Sequence, residues 1–236
     1  MTMTYKKQHT LILLLSLVTL TACSKSNEGP SLPLEDGLSV VIENLAGDVD
    51  ASVGTTGPGK EKRDFHTFLF RFADKKQTWL KTAQDSASHF KKTDWDLAFS
   101  NYYNSNIYIN NGEQTGVPFT GNASKHKMLL LKQDYQNVTT APSDAEFDNS
   151  TLYNIGMIID ESSAGWYNYN MTSHLVQVAP NRTYVLRLSN GKYAKLQFIN
   201  VYKNNPPVVT EVNWQAPYYT FRYFVQEDGS KNLRTQ

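Results

Sequence analysis

Two kinds of residue in this sequence could do chemistry: one cysteine, and a small set of thioethers and imidazoles. Beyond the first twenty-two positions the methionines are Met128, Met157 and Met171, and the histidines are His66, His89, His126 and His174. Met171 and His174 share the segment Trp166-Tyr167-Asn168-Tyr169-Asn170-Met171-Thr172-Ser173-His174. Its rings, Trp166, Tyr167 and Tyr169, could wall a flat apolar ligand while a thioether or imidazole reaches a metal, and haem iron takes both ligand types axially. Lys125-His126-Lys127-Met128 offers the same donors between cations that suit carboxylates. On spacing alone, core filler is the plainer reading of Met171, and a satisfied polar residue that of His174.

The cysteine is easier to read. Lys6 and Lys7 precede the apolar run Leu11 to Leu20, and Leu20-Thr21-Ala22-Cys23 follows. A charged start, an apolar stretch and a small-residue cleavage site make a signal peptide, and the stretch is too short to span a bilayer. Leu-x-Ala-Cys resembles the bacterial lipobox, which implies cleavage before Cys23 and acylation of its thiol and new amino terminus. Several acyl chains at ~0.8 kcal/mol per buried CH₂ give a durable anchor. We therefore expect residues 1–22 to be the signal peptide and 23–37 a lipidated, breaker-rich tether. The domain should then span 38–236. Ser24 after the cysteine resembles outer-membrane sorting, which implies an outer-membrane location, lipid-anchored, with either face open to the domain.

Other chemistries are poorly supported. With 23 basic and 22 acidic side chains the chain is nearly neutral, so it lacks the clustered cations that bind nucleic acid. One cysteine allows neither an intramolecular disulfide nor a multi-cysteine metal site. No nucleophile elbow, zinc-protease helix, P-loop or dinucleotide fingerprint appears. Asp48-Val49-Asp50-Ala51-Ser52-Val53-Gly54 imitates a calcium loop, but its glycine comes one place late and Gly59 stands where a bidentate acid belongs. A non-enzymatic binding protein is the expectation.

The elements that must position these residues read as strands. The sequence has 14 Tyr and 11 Phe, and β-branched or alternating runs recur at Leu38–Ile42, Phe65–Phe72, Trp95–Phe99, Asn106–Ile109 and Met128–Leu131. They continue at Leu152–Ile159, Trp166–Tyr169, Tyr184–Leu188, Tyr193–Tyr202 and Tyr218–Gln226. No window predicts a capped amphipathic helix. Asn190-Gly191 suggests a two-residue type I′ hairpin pairing Leu188 with Tyr193 and Val185 with Leu196. Because Arg187 and Lys195 leave both faces mixed, either a bulge intervenes or both faces are covered. The predicted class is all-β, with antiparallel strands and hairpins in a single domain.

A resemblance sharpens this. The blocks Thr93-Asp94-Trp95-Asp96-Leu97-Ala98-Phe99, Gly165-Trp166-Tyr167-Asn168-Tyr169-Asn170 and Asn181-Arg182-Thr183-Tyr184-Val185-Leu186-Arg187 occur in order. Gly191-Lys192-Tyr193-Ala194-Lys195-Leu196-Gln197-Phe198 and Tyr219-Thr220-Phe221-Arg222-Tyr223 follow. Together with the lipobox, this succession resembles the HmuY family. The resemblance implies an all-β lipoprotein that captures haem and passes it to a TonB-dependent outer-membrane receptor for iron acquisition. It places Met171 at the second axial ligand position and leaves the first open. Met157 is the remaining soft residue of the preceding segment, and His174, His126 and Met128 are the fallbacks. His174, three residues past the ligand position, should face away from it in an extended strand. The alternative is a surface lipoprotein that binds a glycan or protein partner without haem, using Trp79, Trp166, Trp214 and the tyrosines as an aromatic platform. Whether Met157 and Met171 face each other across a cavity discriminates the two.

Overall fold

Alternating apolar residues build the two principal sheets, because in a strand every second side chain points to the same face. The structure is a computed structural model and describes Met1 and residues 34–54, 59–210 and 214–236. Cys23 and, apart from Met1, the expected signal peptide lie outside the described residues. The strands are β1 (Val40–Ala46), β2 (Ala51–Ser52), β3 (Glu61–Lys62), β4 (Thr67–Phe70), β5 (Gln77–Leu80), β6 (Leu97–Ser100) and β7 (Asn106–Ile109). They continue as β8 (Lys127–Leu131), β9 (Asn154–Ile155), β10 (Tyr167–Asn170), β11 (Leu175–Val178), β12 (Thr183–Arg187), β13 (Tyr193–Asn200) and β14 (Tyr218–Gln226). Two short helices, α1 (Ala83–His89) and α2 (Asp144–Asp148), interrupt them.

One five-stranded antiparallel sheet runs β1-β14-β13-β12-β8 and a second runs β5-β4-β6-β7-β9. Their inner faces meet in one core. Phe70 meets Phe221 at a ring-centroid distance of 5.3 Å, and Phe99 meets Tyr219 at 5.0 Å. Each fully buried Phe contributes about 1.5–3 kcal/mol of hydrophobic stabilisation. The outer faces are covered as well. Val185 and Tyr193 pack under Phe147, Val138 and Leu233, while Leu69 and Ala98 pack under Phe90, Trp95 and Phe119. This coverage explains the mixed faces of β12 and β13: Lys195 is buried on the outer side, opposite Val185.

The β12–β13 turn differs from the expected type. Arg187 pairs with Tyr193 and Val185 with Lys195, one residue out of the predicted register. The Leu188 N–H donates to Lys192 O and the Gly191 N–H to Leu188 O, with φ of +81° at Gly191. Asn190 lacks the positive φ of a type I′ turn, so this is the three-residue loop with a left-handed glycine. The expected absence of capped helices is also corrected. Thr82 and Asp85 form a reciprocal capping box on α1, and Ser143 and Glu146 form one on α2. β2, β3, β5 and β11 were not anticipated, and only Asn154–Ile155 of the Leu152–Ile159 run is strand. Residues 34–37, expected as tether, are hydrogen-bonded to their surroundings: Leu34 O accepts from Arg222, and Asp36 accepts from the amides of Leu38 and Ser39.

Candidate functional site

The Trp166 segment forms a hairpin whose root is locked and whose tip is open. At the root, the Trp166 indole is 1% exposed, lies 5.0 Å from the ring of Phe198, and donates its N–H to Ser105 O at 2.9 Å. The hydroxyls of Tyr167 and Ser105 are 2.9 Å apart, and the Val176 N–H donates to the Tyr202 hydroxyl at 2.8 Å. Gly165 runs so close to the preceding segment that a Cβ there would sit 2.6 Å from Gly156 O, which requires glycine. Trp166 therefore lies beneath the surface as a prop, which corrects its expected role as a pocket wall. Tyr167 is also largely buried.

β10 pairs with β11 from Tyr167 opposite Val178 to Asn170 opposite Leu175. The turn is set by Asn170, whose side-chain oxygen accepts the N–H groups of Thr172 and Ser173 at 2.9 Å each. The His174 N–H returns to Asn170 O, and His174 takes φ of +57°. Residues 171–174 are turn rather than extended strand, so the strand alternation expected to turn His174 away does not apply there. His174 Nδ1 lies 3.0 Å from the Tyr169 hydroxyl. Met171 sits in the turn, 75% exposed.

Met157 bridges to Tyr167 at the other end of β10 and is 44% exposed. Four residues of strand separate that bridge from Met171, roughly 13 Å at the usual rise. Met157 and Met171 thus lie at opposite ends of β10. Ile159, Tyr169 and Tyr102 are further exposed large side chains, and Tyr103 is 38% exposed at φ of +54°. Burial pushes the phenols of Tyr103, Tyr167 and Tyr202 up, and all three feel the neighbouring Tyr169.

The fallback donors are placed elsewhere. Met128 is core, 1% exposed. His126 is buried, with Nε2 at 3.0 Å from Asp96 Oδ1 and Nδ1 at 2.8 Å from Ser189 Oγ. Because the Ser189 N–H points to Nδ1 at 3.3 Å, Nδ1 accepts and Nε2 carries the proton toward Asp96. Both ring nitrogens are thus committed to holding β6, β8 and the β12–β13 turn together. Asp48 is likewise spent, gripping Arg63 with both oxygens and accepting the His66 N–H. No group of three or more His, Cys, Asp or Glu gathers as a metal site among the described residues.

Residues 68–223 match the family described as HmuY protein. The chain belongs to the HmuY family. This is a family of binding proteins, and its all-β architecture agrees with the sheets described above. Three solved structures show similarity at low identity. A Bacteroides vulgatus protein assigned provisionally as HmuY-like and heme-binding has 12% identity and a TM-score of 0.35, covering 79% of this chain and 90% of its own. Apo PinO from Porphyromonas gingivitis has 12% identity and a TM-score of 0.31, covering 80% and 96%. An apo HmuY analogue from Tannerella forsythia has 15% identity and a TM-score of 0.29, covering 80% and 94%. No curated protein matches. The family assignment rests on the sequence match.

Proposed function

We propose that this HmuY-family protein is an outer-membrane lipoprotein that binds haem and delivers it to a TonB-dependent receptor. The observation that carries the reading is Met171, a thioether 75% exposed at the tip of a hairpin whose root is fixed by Trp166. Thioether, imidazole and phenol, the donors offered by Met171, His174 and Tyr169, are all axial ligand types for haem iron, so the residues fit the group. Haem brings a redox-active iron with axial positions to fill. The chain supplies the donor and a hairpin tip whose backbone is preset by Asn170, and exposed apolar side chains offer area to cover the porphyrin. Met171 is the leading ligand, with Met157 the remaining soft donor at the far end of β10. The open tip suits capture and transfer, since a ligand held at a surface can pass to a receptor without unfolding its carrier. Acylation of Cys23 would keep the domain at the membrane that holds the receptor.

The platform alternative loses two of its anchors. Trp166 is buried, and Trp79 packs against the core, leaving Trp214 as the exposed indole of the three. The test is an absorption titration of the mature protein with haem. A saturable Soret band at one haem per chain is expected. Absence of any bound spectrum in both oxidised and reduced buffer overturns the proposal.

A further inference from the structure

Resting on the haem reading, we infer that Tyr102 and Tyr103, in the loop between β6 and β7, form with Tyr169 the aromatic wall against which the porphyrin ring lies. Trp166 and Tyr167, buried at the root of the hairpin, leave that role open.

The backbone of this loop is strained. Asn101 takes φ of +59° and ψ of −164°, a region populated almost wholly by glycine, and Tyr103 takes φ of +54° and ψ of +22°. A bulky side chain at positive φ is an outlier, and such conformations persist only where surrounding contacts over-determine them. Asn104 and Tyr219 supply those contacts. The Asn104 side chain, fully buried, accepts the Asp48 N–H at 2.7 Å and donates to His66 O at 2.8 Å. The Tyr219 hydroxyl donates to Tyr103 O at 2.7 Å. Held from below, the loop turns two phenol rings outward, Tyr102 at 63% exposure and Tyr103 at 38%. Tyr103 leans on Phe65 at a ring-centroid distance of 5.0 Å, whereas the Tyr102 ring and hydroxyl meet no hydrogen-bond or ring partner among the described residues.

The loop also stands on the right side of β10. Side chains two apart on a strand share a face, so Tyr169 points to the same side as Tyr167. Tyr167 meets Ser105, at the end of this loop, with the hydroxyls 2.9 Å apart. The shared side is therefore that of the β6–β7 loop, and Tyr169 lies close enough to Tyr103 for the two phenols to influence each other. Met171, two residues past Tyr169, brings a donor for iron to the same neighbourhood. A sugar could stack on the same rings but has no use for a thioether beside them. A flat apolar macrocycle with a metal at its centre uses both, and its contact with the rings is the same whether or not it carries iron.

The experiment titrates the mature chain with haem, in oxidised buffer and under dithionite, and with metal-free protoporphyrin IX, followed by absorption and porphyrin fluorescence. Wild type is compared with Tyr102→Ala, Tyr102→Phe, Tyr103→Ala and Met171→Ala, and melting checks each fold. Tyr102→Ala should melt as wild type does and lose roughly ten-fold in affinity for haem and for the metal-free ring alike. Tyr102→Phe keeps the ring and should keep both affinities. Tyr103→Ala should act as Tyr102→Ala does, while Met171→Ala should weaken reduced haem and leave metal-free porphyrin unchanged. Tyr102 makes no contact that the fold needs, so Tyr102→Ala decides the matter even where Tyr103→Ala melts early. If Tyr102→Ala keeps wild-type affinity for the metal-free ring, or if wild type binds haem but no metal-free porphyrin, this inference falls with the haem reading intact. If wild type binds haem in neither iron state, the haem reading fails and carries this inference with it.

Discussion

The indole N–H of Trp166 donates to the carbonyl of Ser105, 61 positions earlier in the chain, at 2.9 Å. That bond ties the root of the β10–β11 hairpin to the loop between β6 and β7, so the hairpin tip is aimed by the core rather than by its own short strands. Trp166→Phe should cost about 1–2 kcal/mol, chiefly from leaving the partly buried Ser105 carbonyl unpaired. Trp166→Ala should cost about 3–5 kcal/mol by opening a cavity. Urea denaturation measures both, and equal stability of the Phe variant and wild type would contradict this role.

Lys195 gives a pH prediction. It is fully buried, and its ammonium donates to Tyr135 O and Val138 O at 3.1 Å and to Thr235 Oγ1 at 3.2 Å. Burial pushes it down to about 8, below the unfolded value of about 10.4. Below the folded value both states are protonated and the penalty of burying the charge is constant. Between the two values the unfolded chain holds more protons, so stability rises with pH there. Burial raises the phenols of Tyr135 and Tyr184, so above about pH 10 the unfolded chain ionises first and the trend reverses. Melting temperature should therefore climb from about pH 8 to about pH 10, and Lys195→Met should flatten the climb. A flat wild-type profile would show that the charge is not suppressed by burial.

Much of this architecture was legible because it is written in short-range pattern. Phe68 and Phe70, or Tyr184 and Leu186, alternate as a buried strand face must. Turn geometry was less legible, since a type I′ turn and a three-residue loop both want glycine after Asn190, and one residue of loop length shifts the whole β12–β13 register. Helix α1 buries none of its residues and so shows no apolar stripe; only its Thr82 and Asp85 signal it. At the site, the segment carrying Met171 was visible as chemistry. The return of His174 over Tyr169 was not, because it depends on how Asn170 caps the turn. The commitment of His126 was hidden as well, since Asp96 and Ser189 reach it from 30 and 63 residues away.

The proposed lipid anchor at Cys23 should be separable from the fold. Cys23→Ala should release the protein from the detergent phase or leave it unprocessed at the membrane, with no change in the melting of the domain. Phase partitioning decides it, and an alanine variant that is processed and still partitions into detergent would contradict lipidation at Cys23.

Haem held at the hairpin tip is the central claim, and the most direct measurement is the Soret titration of Met171→Ala beside wild type under dithionite. Met171 is so exposed that its loss should move stability by no more than about 0.5 kcal/mol, so a change in binding reports on ligation. Wild type should bind reduced haem more tightly than oxidised haem, and Met171→Ala should shift the Soret maximum and weaken reduced binding roughly ten-fold. An identical spectrum and affinity in the variant would contradict the account.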